Sequence, residues 1–290
     1  MKNHIRKIIP FLLVVIFTLS YRPLFALPSS IVEAEGYACM GEDRTKRQTE
    51  EVALQDAKKR AIEQVSTYIQ AETQVKDFAV QKDIVNAYSN ARVRIIDAKG
   101  KWDSEPPKVG DCYRNKIKAE VIPDEEAMKR VSQKKLLDDP TAPLHVQVWT
   151  EKKEYKSGER IKIYMKGNKP FYARLIYRQV DGSLIQILPN PYRKENYFQG
   201  GVLYEIPSGP DRFDLEVTPP FGEENVILYA STKELGEIDL EQAGGVYIVK
   251  TLSKDIGEKT RGIKIVGKAD KTAGEFVESD VTVVTKGNMK

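Results

Sequence analysis

The chain has 290 residues, enough for one large domain or two domains of ordinary size. Hydrophobic residues make up 41% of it and charged residues 30%, a balance that excludes a disordered or collagen-like protein. Four of the 46 basic residues lie in residues 1–26, which hold no acidic residue, so the rest of the chain carries 42 basic and 42 acidic residues. A neutral chain lacks the basic excess that binding of many phosphates requires, which argues against nucleic acid as a partner.

The N-terminal segment has the three parts of a secretory signal peptide: a cationic start, an apolar run from Ile8 to Leu19, and a polar exit that contains proline. The apolar run has about 12 residues, whereas a helix that spans a bilayer needs about 20. A permanent membrane anchor is therefore the weaker alternative. We expect residues 1–26 to be removed on export, which leaves a periplasmic or secreted protein with no membrane span.

The chain contains two cysteines, Cys39 and Cys112. In an oxidising compartment an even number of cysteines favours a disulfide, so we predict one bond between them. Two buried free thiols are the alternative, because the sequence does not give the distance between the two Cα atoms. Two thiols and one histidine after residue 26 are too few for a closed zinc site, and neither a metal nor another cofactor is expected.

The first folded segment, residues 27–135, is predicted to be a small α/β domain. Apolar and polar residues alternate over 31–40, which predicts a strand with a bulge at Gly36. Residues 43–71 contain no Gly or Pro and repeat apolar residues every three or four positions, which predicts a long amphipathic helix packed on a sheet. The remaining predicted elements are a short helix near 82–89, antiparallel strands over 91–100 and 113–122, and a polar helix over 124–137.

A short pattern spans the first strand and the long helix. It consists of Glu35, Gly36, Ala38, Ala53, Ala57 and Ala61, the last three at four-residue steps. On this pattern, residues 31–125 resemble the N-terminal domain of the flagellar assembly protein T family and related envelope lipoproteins. The resemblance implies a small α/β domain used in periplasmic assemblies, and it supplies no catalytic residue.

Asp-Pro and Ala-Pro steps within residues 136–143 end the helical pattern and predict a linker. From residue 144 onward, short alternating segments are separated by turn residues such as Asp-Gly and Gly-Gly. This spacing predicts an all-β, immunoglobulin-like sandwich over 144–290, with a C-terminal hairpin from Arg261 onward at its edge, and an α+β class for the whole chain. The predicted strands of the sandwich cover 144–150, 160–166, 171–180, 183–189, 201–207, 212–218, 225–231 and 246–252.

Several short sequence motifs follow one another along residues 144–233. They are Gly158 and Glu159 after Tyr155, Tyr172, Asp181 and Gly182, the block 186–190, Gly200 and Gly201, Ile206 and Pro207, and Pro219, Pro220, Gly222 and Glu224. On these blocks the region is similar to the bacterial domain of unknown function 4384. The resemblance implies an accessory β-sandwich module of the kind attached to export signals, proteases or kinases, and it assigns no activity.

The chain lacks the usual catalytic motifs, since it has no GxSxG elbow, no P-loop and no HExxH. His145, the one histidine after residue 26, is interpreted as an ordinary strand residue, so no catalytic residue is predicted and the protein is not expected to be an enzyme. Paired carboxylates keep one alternative open, a hydrolase that acts on an envelope glycan. The candidate pairs are Asp211 with Asp214 and Glu223 with Glu224.

Residues 188–204 gather aromatic and basic side chains in a predicted loop between two strands. The candidate binding residues are Tyr192, Arg193, Tyr197 and Phe198, because such side chains on loops serve recognition. The alternative is packing, in which the aromatic rings cover the end of the sandwich and Gly200 and Gly201 shape turns. We expect an exported, non-enzymatic envelope protein that binds another envelope protein or a surface polymer through the loops of its sandwich.

Overall fold

The computed structural model of the protein describes residues 27–72, 78–103, 111–129, 131, 136–261 and 274–288. The predicted signal segment, residues 1–26, lies outside the described residues. The described chain consists mostly of antiparallel strands with a few helices, so the predicted α+β class is confirmed. No helix in this part of the chain is long and apolar enough to cross a bilayer.

The N-terminal elements follow the predicted order. They are β1 (Ser29–Cys39), α1 (Lys46–Glu72), α2 (Phe78–Ser89), β2 (Arg92–Asp103), β3 (Cys112–Ile122) and α3 (Glu125–Lys129). Helix α1 begins at a capping box, in which the Gln48 N–H donates to Thr45 Oγ1 (3.3 Å) and the Thr45 N–H donates to Gln48 Oε1 (2.8 Å). Of the polar helix predicted over 124–137, the structure describes α3 and the helical residues 136 and 137, while residue 130 and residues 132–135 lie outside the described ranges.

The C-terminal half is rich in strands. Its elements are β4 (Val146–Thr150), β5 (Glu154–Lys156), β6 (Ile163–Gly167), β7 (Phe171–Arg178), β8 (Leu184–Leu188), β9 (Tyr197–Phe198), β10 (Leu203–Ile206), β11 (Glu223–Ser231), β12 (Leu240–Ala243), β13 (Val246–Val249), α4 (Ser253–Thr260) and β14 (Gly274–Lys286). The strand predicted over 212–218 is wrong, since this segment forms only an isolated bridge between Glu216 and Arg160. The alternating apolar residues of this segment reflect burial, because Val217 packs in the core although the segment forms no regular strand pairing.

One long sheet runs through both halves of the chain, in the strand order β12-β13-β8-β7-β11-β14-β1-β3-β2. Strand β5 adds to β14, and β9 adds to β7. A second sheet has the order β10-β6-β4. The main core lies between this small sheet and the C-terminal part of the long sheet, with Met165, Leu175 and Leu228 among its fully buried residues. These two sheets are the sandwich that the strand spacing predicts.

Strand β14 is at the centre of the long sheet, so its predicted position at the edge of the sandwich is wrong. Residues 274–276 pair with residues 29–31 of β1, and residues 276–284 pair with β11. A strand with buried apolar residues on both faces belongs in the interior of a sheet, and β14 buries Phe276 on one face and Val277 on the other. We call the pairing of β1 with β14 the seam. The other strand of the predicted hairpin falls in 262–273, outside the described residues.

The helices lie on both faces of the long sheet. Adjacent residues of a strand point to opposite faces. Ile31 and Phe276 pack with Ile256 of α4, whereas Val32 packs with α1 and Val277 packs in the core under the small sheet. Helix α1 and the small sheet therefore share one face of the long sheet, and α4 covers the other face.

Helix α1 lies unusually close to β1 because the contact residues on both elements are small. Ala53, Ala57 and Ala61 are fully buried against the sheet. A Cβ atom at Gly36 would lie 2.0 Å from the Ala53 carbonyl oxygen and 2.2 Å from the Ala57 nitrogen. The predicted bulge at Gly36 is wrong, since the β1–β3 register runs through it without a shift. Gly36 is needed for the close approach of the helix.

The predicted disulfide is confirmed. Cys39 and Cys112 form the last pair of the β1–β3 register and are joined by an S–S bond of 2.02 Å. The alternative of two free thiols is therefore excluded. The bond ties the end of the first strand to the start of the third, as the sequence predicts.

A buried carboxylate lies at the seam on the face that carries α1. Glu275 accepts hydrogen bonds from Lys169 Nζ (3.2 Å), from Tyr68 Oη (3.3 Å) and from the Leu144 N–H. Tyr68 belongs to α1, whereas Lys169 follows β6 and Leu144 precedes β4. Glu275 therefore connects elements of both halves of the chain.

A second buried carboxylate lies on the opposite face of the sheet. Glu120 of β3 is bound by Arg261 Nε (2.8 Å), by Arg94 and by Ser29 Oγ. The Arg261 guanidinium also lies 4.5 Å from the centroid of the Phe276 ring. Since Arg261 follows α4 and Glu120 belongs to the N-terminal half, this ion pair also crosses the seam.

The two halves thus share one sheet and two buried ion pairs. The predicted linker also packs: Leu136 and Ala142 are buried against the N-terminal core, and the Asn168 amide donates to the carbonyl oxygens of Asp139 and Ala142. The predicted division at residues 136–143 stays a prediction about domain boundaries. The continuous sheet indicates that the halves support each other.

Candidate functional site

The loop after β8 is held by the buried side chain of Asn190. Its Oδ1 accepts hydrogen bonds from the N–H groups of Tyr192 and Arg193, both at 2.8 Å, and its Nδ2 donates to the Ile187 carbonyl oxygen at 2.8 Å. Asparagine forms turns of this kind because its short side chain reaches the backbone two or three residues further on. The turn fixes the directions in which Tyr192 and Arg193 leave the sheet.

Arg193 locks this loop to the segment that follows β10. Its Nη1 lies 2.9 Å from Asp211 Oδ2, and its guanidinium lies 5.5 Å from the centroid of the Phe198 ring. Asp211 Oδ2 also accepts hydrogen bonds from the N–H (2.7 Å) and the hydroxyl (2.9 Å) of Ser208. Burial by itself would raise the pKa of Asp211, but the Ser208 hydrogen bonds and the Arg193 charge outweigh it and hold the pKa below its usual value. Asp211 is therefore an ionised structural acceptor.

Tyr192 is the most exposed aromatic residue among the four candidates, with 54% of its surface accessible. Its ring stacks on Phe213 with the centroids 6.4 Å apart. Its hydroxyl lies beside Gly245 in the β12–β13 turn, where a Cβ atom would come within 2.5 Å of it. The ring is thus supported by two segments that are distant in sequence, and it still presents surface to solvent.

Tyr197 and Phe198 are neighbours on β9 and point to opposite sides. Phe198 is only 2% exposed and packs against Phe171 and Tyr204, with centroid distances of 5.6 Å and 4.8 Å. Its predicted role as a contact for a partner is therefore corrected to packing in the core. Tyr197 is 49% exposed and lies against Tyr172. This segment therefore packs in the core at Phe198 and exposes aromatic side chains at Tyr192 and Tyr197.

Tyr192 and Arg193 line a shallow, open pocket of about 390 Å³. The other lining residues are Glu195, Ser208, Pro210, Asp211 and Arg212. Tyr197, in contrast, does not line it. Sequence reasoning missed Glu195, Ser208, Pro210 and Arg212 as pocket residues, because the segments 192–195 and 208–212 come together only in the folded chain, where Arg193 pairs with Asp211. Asp211 was the one available signal, and the sequence marked it only as a candidate acid.

The two candidate carboxylate pairs do not form opposed pairs. Glu224 is buried and accepts a hydrogen bond from Tyr177 Oη at 2.6 Å, whereas Glu223 precedes it on β11 and points to the other face. Asp214 lies 3.5 Å from Arg160 and does not line the pocket that contains Asp211. Neither pair places two carboxylates across a shared cavity.

His145 is buried at the start of β4, where burial lowers the pKa of its imidazole to about 4. The ring is therefore neutral at physiological pH. Its backbone N–H donates to Asn168 Oδ1 at 2.8 Å. Over the described ranges, no three His, Cys, Asp or Glu side chains converge as a metal site would require.

A comparison with protein families bears on the segment that carries the pocket. Residues 154–234 match the family described as a domain of unknown function, DUF4384. The predicted resemblance is thereby confirmed over this range, which runs from β5 through β11 and includes the whole pocket. Strands β4 and β14 lie outside the match, although the sandwich needs both. The resemblance suggested for residues 31–125 stays a prediction. No curated protein and no solved structure matches the chain.

Proposed function

We propose that this protein is an exported, non-enzymatic envelope protein that binds an envelope protein or a surface polymer through the pocket beside Tyr192. The observation that carries the proposal is an exposed aromatic ring held in place by packed neighbours. Phe213 and Gly245 fix the ring, and the Arg193–Asp211 ion pair fixes the loop that carries it. A binding group that is already ordered loses little conformational entropy when a partner docks.

A hydrolase acting on an envelope glycan is the alternative, and it has less support. General acid–base hydrolysis of a glycoside requires two carboxyl groups that flank the bond. Two carboxylates line the pocket, Glu195 and Asp211, but Asp211 is engaged by Arg193 and Ser208 and has a lowered pKa, which does not suit a general acid.

Export is the first part of the proposal that can be tested. The signal-peptide pattern of residues 1–26 and the Cys39–Cys112 disulfide both support it, since disulfides persist in oxidising compartments. We expect protein purified from the periplasm to have an intact mass that corresponds to a chain beginning near residue 27. A mass that still includes residues 1–20 would contradict the proposed processing.

The binding role can be tested by capture from envelope extracts with the exported protein as bait. The Tyr192→Ala variant should weaken capture of the specific partner by about 2 kcal/mol, or roughly 30-fold in Kd, because aromatic anchors dominate binding energy. Its melting temperature should stay close to that of the wild type, since the ring is exposed. Arg193→Ala is less suitable, because it would leave Asp211 without its cation.

Tyr37→Ala is the matched control for this experiment. Tyr37 is 43% exposed on β1, so its substitution removes a similar aromatic ring from the N-terminal part of the sheet, away from the pocket. Capture should be unchanged in this variant. Equal capture by the wild type and by Tyr192→Ala would remove the pocket as the binding site.

A further inference from the structure

The pocket presents one aromatic ring and a balanced set of charges. Tyr192 is open to solvent, while Phe213 supports its ring. The charged lining residues are two arginines, Arg193 and Arg212, and two carboxylates, Glu195 and Asp211. Arg193 and Asp211 neutralise each other, so Arg212 and Glu195 remain as one exposed donor group and one exposed acceptor group. This lining favours neither an anion nor a cation.

A sugar ring has the chemistry that fits such a lining. Its C–H face is apolar and can lie on an aromatic ring, while its hydroxyl groups both donate and accept hydrogen bonds. A guanidinium offers a planar fork of donors and a carboxylate offers two acceptors, so Arg212 and Glu195 together can satisfy hydroxyl groups on either side of the ring. The volume of about 390 Å³ lies near the lower end of the roughly 300–1,000 Å³ typical of small-molecule sites. The open side leaves room for a chain to continue.

We infer that the pocket binds a sugar ring within a neutral glycan chain. This inference rests on the proposed binding function and narrows its ligand to one class. A protein partner fits less well, because protein interfaces bury about 800 Å² on each side around a core depleted in charge. Exposed charged side chains follow Tyr192 in the chain or line the pocket, namely Lys194, Glu195 and Arg212, beside the exposed Pro210.

The test is isothermal titration of the exported protein, disulfide intact, with three neutral hexasaccharides: maltohexaose, cellohexaose and hexa-N-acetylchitohexaose. At least one should bind the wild type. The Tyr192→Ala and Glu195→Ala variants should each weaken that binding by about tenfold or more. Tyr37→Ala is the matched control, since Tyr37 is exposed to a similar degree but lies on β1 and does not line the pocket, and this variant should bind as the wild type does.

Glu195→Ala keeps the test valid if Tyr192→Ala does not fold, because Glu195 is exposed and carries little packing. Binding should also change little between low and high salt, since a neutral ligand has no charge to screen. A strong loss of affinity in high salt would overturn the neutral-glycan assignment. The same holds if none of the three sugars binds at millimolar concentration, or if Tyr37→Ala weakens binding as much as Tyr192→Ala does.

The capture experiment separates this failure from failure of the proposed function. If the sugars do not bind but a protein is captured in a Tyr192-dependent manner, the glycan assignment is wrong and the binding function stands. If the sugars do not bind and capture is also insensitive to Tyr192→Ala, the glycan assignment and the proposed binding function of the pocket are both wrong.

Discussion

Lys169→Met is expected to destabilise the protein by about 3–5 kcal/mol, the usual cost of removing one partner from a buried ion pair. Glu275 is 1% exposed, and Lys169 Nζ lies 3.2 Å from its carboxylate. Tyr68 and the Leu144 N–H would remain as hydrogen-bond donors, but neither carries a charge. The variant would therefore leave a buried negative charge at the seam without a cation.

Urea unfolding at neutral pH measures this loss. The double variant Lys169→Met/Glu275→Gln should recover much of it, because the amide is uncharged and its oxygen can still accept the Leu144 hydrogen bond. Lys152→Met is the matched control, since it breaks a solvent-exposed pair with Glu159 at 3.1 Å and should cost less than about 1 kcal/mol. Equal losses in the two lysine variants would mean that the seam does not depend on this charge pair.

Removing the disulfide is expected to cost about 4 kcal/mol. Cys39 and Cys112 are separated by 73 positions. Without the bond, the unfolded chain gains the conformational entropy that closing a loop of that size removes, and the chain-entropy model converts this gain to about 4 kcal/mol of lost stability. The folded state should keep its architecture, because the two residues end a continuous β1–β3 register that needs no bond to form. The double variant Cys39→Ala/Cys112→Ala should therefore fold with a lower unfolding midpoint.

Denaturant unfolding with and without reductant checks this expectation. Reductant should lower the midpoint of the wild type toward that of the double variant and should leave the variant itself unchanged. Ligand binding at the pocket should persist in the variant, since the pocket belongs to residues 192–212 of the other half. A loss below about 1 kcal/mol would show that the cross-link hardly constrains the unfolded chain.

Local pattern was sufficient for most of the secondary structure and for the disulfide. The three- and four-residue repeat over residues 43–71 corresponds to α1, and alternation identifies β1, β3 and most strands of the sandwich. Both patterns follow from the geometry of a helix and a strand, so they are present in the sequence itself. Because the chain has two cysteines, one intramolecular pairing is possible, and it is the disulfide that forms. Strands β5 and β9 were missed, because two or three residues are too few to show alternation, and β12 was missed as well.

The candidate site was only partly predictable. The sequence placed recognition in the loop 188–204, and Tyr192 and Tyr197 are indeed exposed there. It did not distinguish Tyr197 from Phe198, because alternation says that neighbours face opposite sides but not which side is the core. It also did not join the loop to residues 208–212, since the ion pair between Arg193 and Asp211 forms only when the chain is folded.

The amino-acid sequence by itself determined most of the elements, the α+β class and the disulfide of this protein. The tertiary structure alone decided that β14 enters the centre of the sheet between β1 and β11, that Gly36 lies under α1, and that Glu275 and Glu120 hold the seam. The physical reason is that alternation specifies the two faces of a strand but not its neighbours. Backbone hydrogen bonds between strands are alike for every sequence, so the choice of neighbour depends on side chains that are far apart in the chain.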